Sequence, residues 1–486
     1  MAAADRAAIA AGTPVEVLME RAGRAVAWAV RRCCGGTYGR RAVVVCGRGH
    51  NGGDGRVAAR VLRAWGTATT VIDLDAVDEA ALGRELARAD VLVDAMFGTG
   101  FRGELSGPAA TVAATTVERH GGLRVVAVDI PSGVDGTTGE VRGPAVRAEI
   151  TVTFAAAKPG LYLPPGRWHA GRVRVADIGV PASGPELRDR PEAVGEAPGT
   201  ARIGVLEDAD LPGLVPPRPP DAHKWTSGVL VVGGSAGMTG APMLVSRAAL
   251  RTGAGIVHCA LPGAGAAAAA SGGEVITVAL PADADGALAA EAAAAVIGAA
   301  GRFRAVALGP GLGRAPGTAT AVRRTLAEVD VPVVADADAL WALGGHLGLL
   351  AARAAAGRAT VLTPHDGEFA RLTGAPPGPD RITDVRRLAA VTGAVVLAKG
   401  PTPVIAAPGG AVVLETEATE VLATAGSGDV LTGIVAALLA RGAPPLAAAA
   451  AATRLHALAG RAAGHTGVVA GDLVTALPGV LAAHLR

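Results

Sequence analysis

The sequence predicts an α/β protein made of two consecutive domains, each a parallel sheet covered by helices on both faces. Three observations carry this. Short apolar runs such as AVVVC, VLVDA and VVAVD lack polar alternation, as strands buried on both faces do. Each run leads into a Gly-rich turn and then a helix-like stretch, the order expected of βαβ units. A stretch rich in Pro, Gly and charge, from about Val180 to Asp221, interrupts this alternation before it restarts.

The elements follow in order. Glu16 to Val30 has the apolar spacing of a helix. RAVVVCGRGHNGGDGRVAARVL, ADVLVDAMFGTGFRG and LRVVAVDIPSGVDG are the first three strand-and-loop units. Beyond the interruption come SGVLVVGGSAGMTG, RAVALGPGLG, VPVVADADAL, ATVLTPHDGEF and GAVVLAKG. The expected domains are residues 1–200 and 206–486. The apolar region from Val430 to Gly460 is broken by Arg441, Pro444, Pro445 and Arg454. It therefore reads as soluble helices and not as a membrane span.

Composition narrows the function. Lys+Arg 45 against Asp+Glu 43 leaves a net charge of +2 over 486 residues, which excludes a general nucleic-acid binder and docking on anionic membranes. Hydrophobic residues at 50% with 18% charged exclude a disordered chain. Aromatics are 2%, so the core must be Ala, Val, Leu and Ile. Cys33, Cys34, Cys46 and Cys259 form no CxxC pair, so a reduced, cytoplasmic protein is expected. No secretory signal is expected at an N-terminus carrying Asp5 and Arg6. Only Lys158, Lys224 and Lys399 are lysines, which asks of each what arginine would not do there.

In open parallel sheets, ligands bind beyond the carboxyl ends of the strands. The unusual residues gather there: the GHNGGDG loop, Asp94, Asp129, Gly309 to Gly313, His365 and Lys399. Two crevices are expected, one per domain. Carboxylates at apolar strand ends need cations, donors or a raised pKa. Each taken alone also reads as a helix cap or turn residue. Gly426, Ser427 and Gly428 precede an apolar helix, whose first N–H groups would make an anion hole with Asp429 at its entrance. Lys158 reads either as support for a phosphate or loop, or as a surface lysine.

VLMERAG, GHNGGDGRVAARVL, VDAMFGTGFRG, VDIPSGVDG and TFAAAKPGLY resemble, in order, the NAD(P)H-hydrate epimerase family over about residues 1–180. The resemblance implies a Rossmann-like three-layer sandwich. It implies K+ at Asn51, Asp94 and Ser132, and substrate contacts from His50, Asn51, Gly52, Gly53, Asp54, Gly98, Thr99, Gly100, Phe101, Arg102, Gly103, Glu104 and Asp129. Asp129 is the candidate acid/base. His50 stands where the family usually has a second asparagine, and the position should still donate a hydrogen bond.

HKWTSG, GGSAGMTGAP, GPGLG, TPHDGEF, KGPTPVI and TAGSGDVLTG resemble the ADP-dependent NAD(P)H-hydrate dehydratase family over about 220–480. That family is ribokinase-like, and its Asp at the position of Asp429 takes the proton from an attacking hydroxyl. The resemblance implies contacts to hydrated NADH or NADPH from Ala241, Gly313, His365 and Asp429. It implies contacts to ADP from Lys399, Gly400, Pro401, Thr402, Pro403 and Gly428, with Mg2+ on the phosphates. Gly311 remains an alternative to Gly313. Pro403 stands where relatives usually keep a polar residue, and Trp225 where a smaller residue or tyrosine is usual. The function implied is repair of hydrated NADH and NADPH by a homo-oligomer. The rival readings are a ribokinase-like small-molecule kinase fused to a nucleotide-binding, non-catalytic N-domain, and a binding or scaffold module with no activity.

Overall fold

The computed structural model describes residues 12–118, 122–180, 203–263 and 273–485. The chain divides into two compact units, Met1–Pro185 and Glu186–Arg486. The expected domain boundary near residue 200 falls on 181–202, outside the described residues.

In the first unit six parallel strands, β1 (Arg41–Cys46), β2 (Ala68–Asp73), β3 (Val91–Ala95), β4 (Arg124–Val128), β5 (Ile150–Phe154) and β6 (Arg172–Ala176), lie in the order β2-β1-β3-β4-β5-β6. The expected sandwich is present. On β3, Val91, Val93 and Ala95 join the core beneath the helices Val15–Cys33 and His50–Ala64. Leu92 joins the opposite core, with Leu82 and Val112 from the helices Glu79–Leu86 and Pro108–Glu118. This period-two division explains why the run shows no polar alternation. The first helix is the one expected at Glu16–Val30, extended to Cys33.

The loop after β1 owes its shape to close backbone approach. A Cβ on Gly52 would lie 1.9 Å from the Gly47 carbonyl oxygen. The helix starting at His50 can therefore begin directly on the strand end.

The second unit has ten strands: β7 (Ile203–Val205), β8 (Gly228–Val232), β9 (Ile256–Pro262), β10 (Ile276–Leu280), β11 (Ala305–Leu308), β12 (Val333–Ala335), β13 (Thr360–Leu362), β14 (Val395–Ala398), β15 (Val404–Ala406) and β16 (Val412–Leu414). Their order is β10-β9-β8-β11-β12-β13-β14-β15-β16-β7. The sheet is not wholly parallel, as the sequence led one to expect. β15 runs antiparallel to β14 and β16 because only short turns connect them, too short for a crossover. The stretch assigned to a linker also differs. β7 pairs with β16, and Asp208 accepts a hydrogen bond from buried Arg454 at 2.7 Å, which ties residues 203–208 to this unit.

The Ser427–Ala440 helix is buried from Val430 onward, which explains its apolar sequence all round. It packs closely on the Gly240–Arg251 helix, where a Cβ on Gly433 would lie 2.3 Å from the Val245 carbonyl oxygen. With few aromatics, this core reaches density through alanine and close helix approach.

Gly52→Ala should destabilise the first unit by about 3 kcal/mol, because the new methyl meets backbone that has no room to shift. Thermal denaturation followed by the first unit's own hydrogen exchange measures this.

Candidate active sites

In the first unit, strand order reverses between β1 and β3, which opens a crevice at their carboxyl ends. A cavity of about 880 Å³ lies there. Its wall comes from Gly47–Asn51 and Asp54 after β1, Met96–Arg102 after β3, Asp129 after β4, and Lys158. Leu18, Met19 and Ala22 of the first helix form the apolar side. Of the expected contact residues, His50, Asn51, Asp54, Gly98, Thr99, Gly100, Phe101, Arg102 and Asp129 line this cavity. Gly52 and Gly53 instead serve packing, against the Gly47 carbonyl and the Met19 side chain. Gly103 and Glu104 are exposed, and Glu104 lies against Gly143.

Asp94 is fully buried at the end of β3. It accepts from the Ser132 amide at 2.8 Å, the Ser132 hydroxyl at 2.7 Å and the Met96 amide at 3.2 Å. Burial raises its carboxyl to about 6, against the lowering effect of these donors. The Asn51 amide donates to the Phe97 carbonyl at 3.0 Å, and the Phe97 amide donates to Ser132 Oγ at 3.0 Å. Asn51, Asp94 and Ser132 thus meet around the backbone of Phe97 and offer only oxygen ligands.

Asp129 follows β4 with φ +64, a conformation that few non-glycine residues adopt. Its carboxylate accepts from Lys158 Nζ at 2.6 Å and from Thr153 Oγ1 at 3.1 Å. Lys158 is 5% exposed, so the surface-lysine reading is overturned. It also donates to Thr153 Oγ1 at 2.8 Å and to the Phe154 carbonyl at 3.0 Å, which uses its three protons within the protein. Asp54 has no such cation. Burial, with the charge of Asp129, pushes its carboxyl up to about 8.

In the second unit, the order reverses between β8 and β11. The loops after these strands touch: Ser235 Oγ donates to the Gly311 carbonyl at 2.9 Å. Gly311 is buried beneath Met238 and Ala241, whereas Gly313 is partly exposed and donates its N–H to Asp338 at 2.8 Å. His365 caps the Asp366–Thr373 helix, its Nδ1 accepting from Gly367 N at 3.0 Å and Glu368 N at 3.2 Å. Its structural role is therefore real, while its ring stays exposed.

Lys399, at the end of β14, lies beside Gly428, with its Nζ 3.6 Å from where a Cβ on that glycine would stand. It donates to Asp336 at 2.8 Å and pairs with Glu368 at 3.5 Å. Burial draws the ammonium's pKa down, but Asp336 and Glu368 outweigh it and hold the value above the ordinary one. Gly400 to Pro403 form the turn between β14 and β15. Gly400 and Pro401 are exposed, and Thr402 and Pro403 are buried. The Pro403 carbonyl accepts from the Glu415 amide at 3.1 Å.

Gly426 precedes the Ser427–Ala440 helix with φ +85, and no side chain caps this helix. Asp429 is therefore not its N-cap but a first-turn residue. Burial first, then the charge of Asp336, raises its carboxyl to about 6, partly opposed by Lys399. Ser427 Oγ and His456 Nε2 meet at 3.0 Å beneath the turn, and burial lowers His456 to about 4.

Sequence reasoning missed Asp336, Glu368 and Thr432. A signal existed for Asp336, since VPVVADADAL puts a carboxylate directly after a buried strand, as with Asp94. Glu368 sits three residues after a capping residue, the capping-box spacing. Nothing in the sequence sets Thr432 apart. Among the described residues no group of three His, Cys, Asp or Glu side chains forms a metal cage. No helix among them is long and apolar enough to cross a membrane.

Residues 229–478 match the family described as NAD(P)H-hydrate dehydratase, and residues 15–81 and 70–160 match the one described as YjeF-related protein N-terminus. The bifunctional NAD(P)H-hydrate repair enzyme Nnr of Salinibacter ruber is 40% identical, covering 99% of this chain and 95% of that one. The protein of the same name from Moorella thermoacetica is 39% identical, covering 96% and 92%. Among solved structures, the ADP/ATP-dependent NAD(P)H-hydrate dehydratase from Bacillus subtilis, co-crystallized with ATP/Mg2+, is 27% identical with a TM-score of 0.47, covering 59% of this chain and 100% of that one. The match to the repair enzymes runs through both units, which disfavours a kinase joined to an unrelated domain. The chain belongs to the family of bifunctional NAD(P)H-hydrate repair enzymes, with an epimerase half and a dehydratase half.

Proposed function

We propose that the second unit restores NADH and NADPH from the S hydrates by phosphorylating and then eliminating their hydroxyl, and that the first unit interconverts the R and S forms. The observation that carries this reading is Asp429, at the first turn of an uncapped helix and near Lys399. Hydroxide is a poor leaving group, and phosphate is a good one. In the proposed step Asp429 takes the hydroxyl proton while the oxygen attacks the terminal phosphorus of ADP. The bond from that phosphorus to the AMP oxygen breaks. The ring nitrogen lone pair then expels phosphate, and loss of a proton from the adjacent ring carbon restores the dihydropyridine. Lys399 and the N–H groups at Gly428 and Asp429 stabilise the charge on the moving phosphoryl group.

In this reading Lys399, Gly400, Pro401, Thr402, Pro403 and Gly428 contact ADP, and Ala241, Gly313, His365 and Asp429 contact the hydrate. Partial exposure of Gly313, beside buried Gly311, supports the former as the contact. Mg2+ bound with the nucleotide would supply charge neutralisation. With no cage of three acidic or His/Cys side chains among the described residues, phosphate and water are its fitting ligands.

In the first unit, Asp129 is the acid/base of epimerisation, aimed by Lys158. Asp54, protonated near neutrality, is suited to donate in the same cavity. Asn51, Asp94 and Ser132, which offer oxygen ligands, would hold K+, which would supply positive charge beside a buried carboxylate. The four free cysteines support a cytoplasmic location. Half-exposed Trp28 and Trp168 support a homo-oligomer.

Separated R and S hydrates, incubated with ADP, ATP or neither, test the reading. With ADP, the S form should yield reduced coenzyme, AMP and free phosphate. A stable phosphorylated hydrate would overturn it. Asp429→Asn should lower dehydration by about 10²–10⁴-fold. In the wild type, dehydration should rise as pH passes about 6, because the base must lose its proton. Asp129→Asn should abolish interconversion of the epimers and leave S-hydrate dehydration intact, as chromatography of each epimer would show. Asp54 makes a stability prediction. Its pKa is raised on folding, so its stabilisation is complete below the ordinary value of 3.8 and falls as pH rises to about 8. Asp54→Asn should therefore raise the melting temperature by on the order of 10 °C at pH 8, little at pH 4, and reduce epimerisation.

A further inference from the structure

We infer that Asp336 is a positioning residue of the dehydratase half, a buried clamp that fixes Lys399 relative to the helix bearing Asp429. The inference rests on the phosphoryl-transfer reading of that site. Asp336 follows β12 and is 2% exposed. Its two carboxylate oxygens hold different elements. Oδ1 accepts from Lys399 Nζ, at the end of β14, at 2.8 Å. Oδ2 accepts from Thr432 Oγ1, on the Ser427–Ala440 helix, at 2.7 Å. Thr432 lies three residues after Asp429, one turn along the same helix. A single rigid carboxylate therefore links the cation to the turn that carries the base.

The backbone of Asp336 is fixed as firmly. Its N–H donates to the Leu308 carbonyl at 3.0 Å, and its own carbonyl lies so close to Gly309 that a Cβ there would stand 1.9 Å away. β11, β12, β14 and the helix are thus joined at one residue. Phosphoryl transfer depends on position more than on covalent chemistry, so such a joint acts on turnover.

The carboxylate also acts by charge. The charged groups facing Asp429 are Asp336 from β12, Lys399 from β14 and Glu368 from the Asp366–Thr373 helix. His456 lies beneath the same turn, against Ser427. After burial, Asp336 is the largest influence raising Asp429, so it strengthens the base it does not touch. Asparagine there would keep the shape, remove the charge, and turn an NH2 towards either the ammonium or the threonine hydroxyl.

The test uses the full chain and the dehydration of purified S hydrate. Asp336→Asn should lower kcat about 10- to 100-fold. The acid limb of its pH–kcat profile should move to lower pH, and epimerisation should be unchanged. Thr432→Val keeps the charge and breaks one arm of the clamp. It should lower kcat with the acid limb in place, and Thr432→Ser should restore the rate. The inference is overturned by wild-type kcat and an unmoved limb in Asp336→Asn. It is equally overturned if Thr432→Val and Asp336→Asn lose only melting temperature. If Asp336→Asn does not fold, the Thr432 pair decides alone. Full activity in Asp429→Asn would instead remove the phosphoryl-transfer reading, whatever Asp336 does.

Discussion

A carboxylate at the end of a strand buried on both faces has lost most of its water, and the protein must replace that water or accept a shifted proton affinity. Both halves of this enzyme are organised around that constraint. Asp94 is surrounded by the Ser132 and Met96 donors, Asp129 by Lys158 and Thr153, and Asp336 by Lys399 and Thr432. Asp54 and Asp429 stand nearby without a direct cation partner, and both are raised towards neutrality. The same pattern arises in each unit. Donors or a cation fix Asp94, Asp129 and Asp336 in place, Asp54 and Asp429 have no direct cation, and burial raises Asp54, Asp94 and Asp429 alike.

The two lysines in these frames answer why so few lysines occur. Lys158 places a compact charge in a buried pocket, Lys399 does so in a half-buried one, and Lys224 stays exposed. A guanidinium carries its donors in a wide planar fork, which suits Arg454 between Asp208 and Glu415. It would not fit between Asp129, Thr153 and the Phe154 carbonyl, where a single nitrogen meets three acceptors.

Small residues make the rest possible. With few bulky aromatics, close packing comes largely from Gly and Ala at helix contacts. The helix bearing Asp429 is held on all sides except its first turn. Rigidity behind that turn and openness before it suit the phosphate contact proposed there. The first unit follows the same logic, since the helix starting at His50 sits directly on the end of β1.

Much of this was legible in the chain. Apolar runs without alternation specified buried parallel strands, and glycine loops with polar residues at the strand ends marked the crevice of the first unit and the polar cluster of the second. Those features are local, because period and turn chemistry act over a few residues. The antiparallel edge from β14 to β16, and the return of residues 203–208 to the second sheet, depended on which strand had a free edge. That is decided only when the sheet assembles. Likewise the sequence placed Asp129, Lys158, Asp336, Lys399 and Thr432 far apart, and gave no reason to pair any two. Charge interactions fall off within a few ångströms of solvent, so proximity and burial create the pairs, and proximity is a property of the tertiary fold alone.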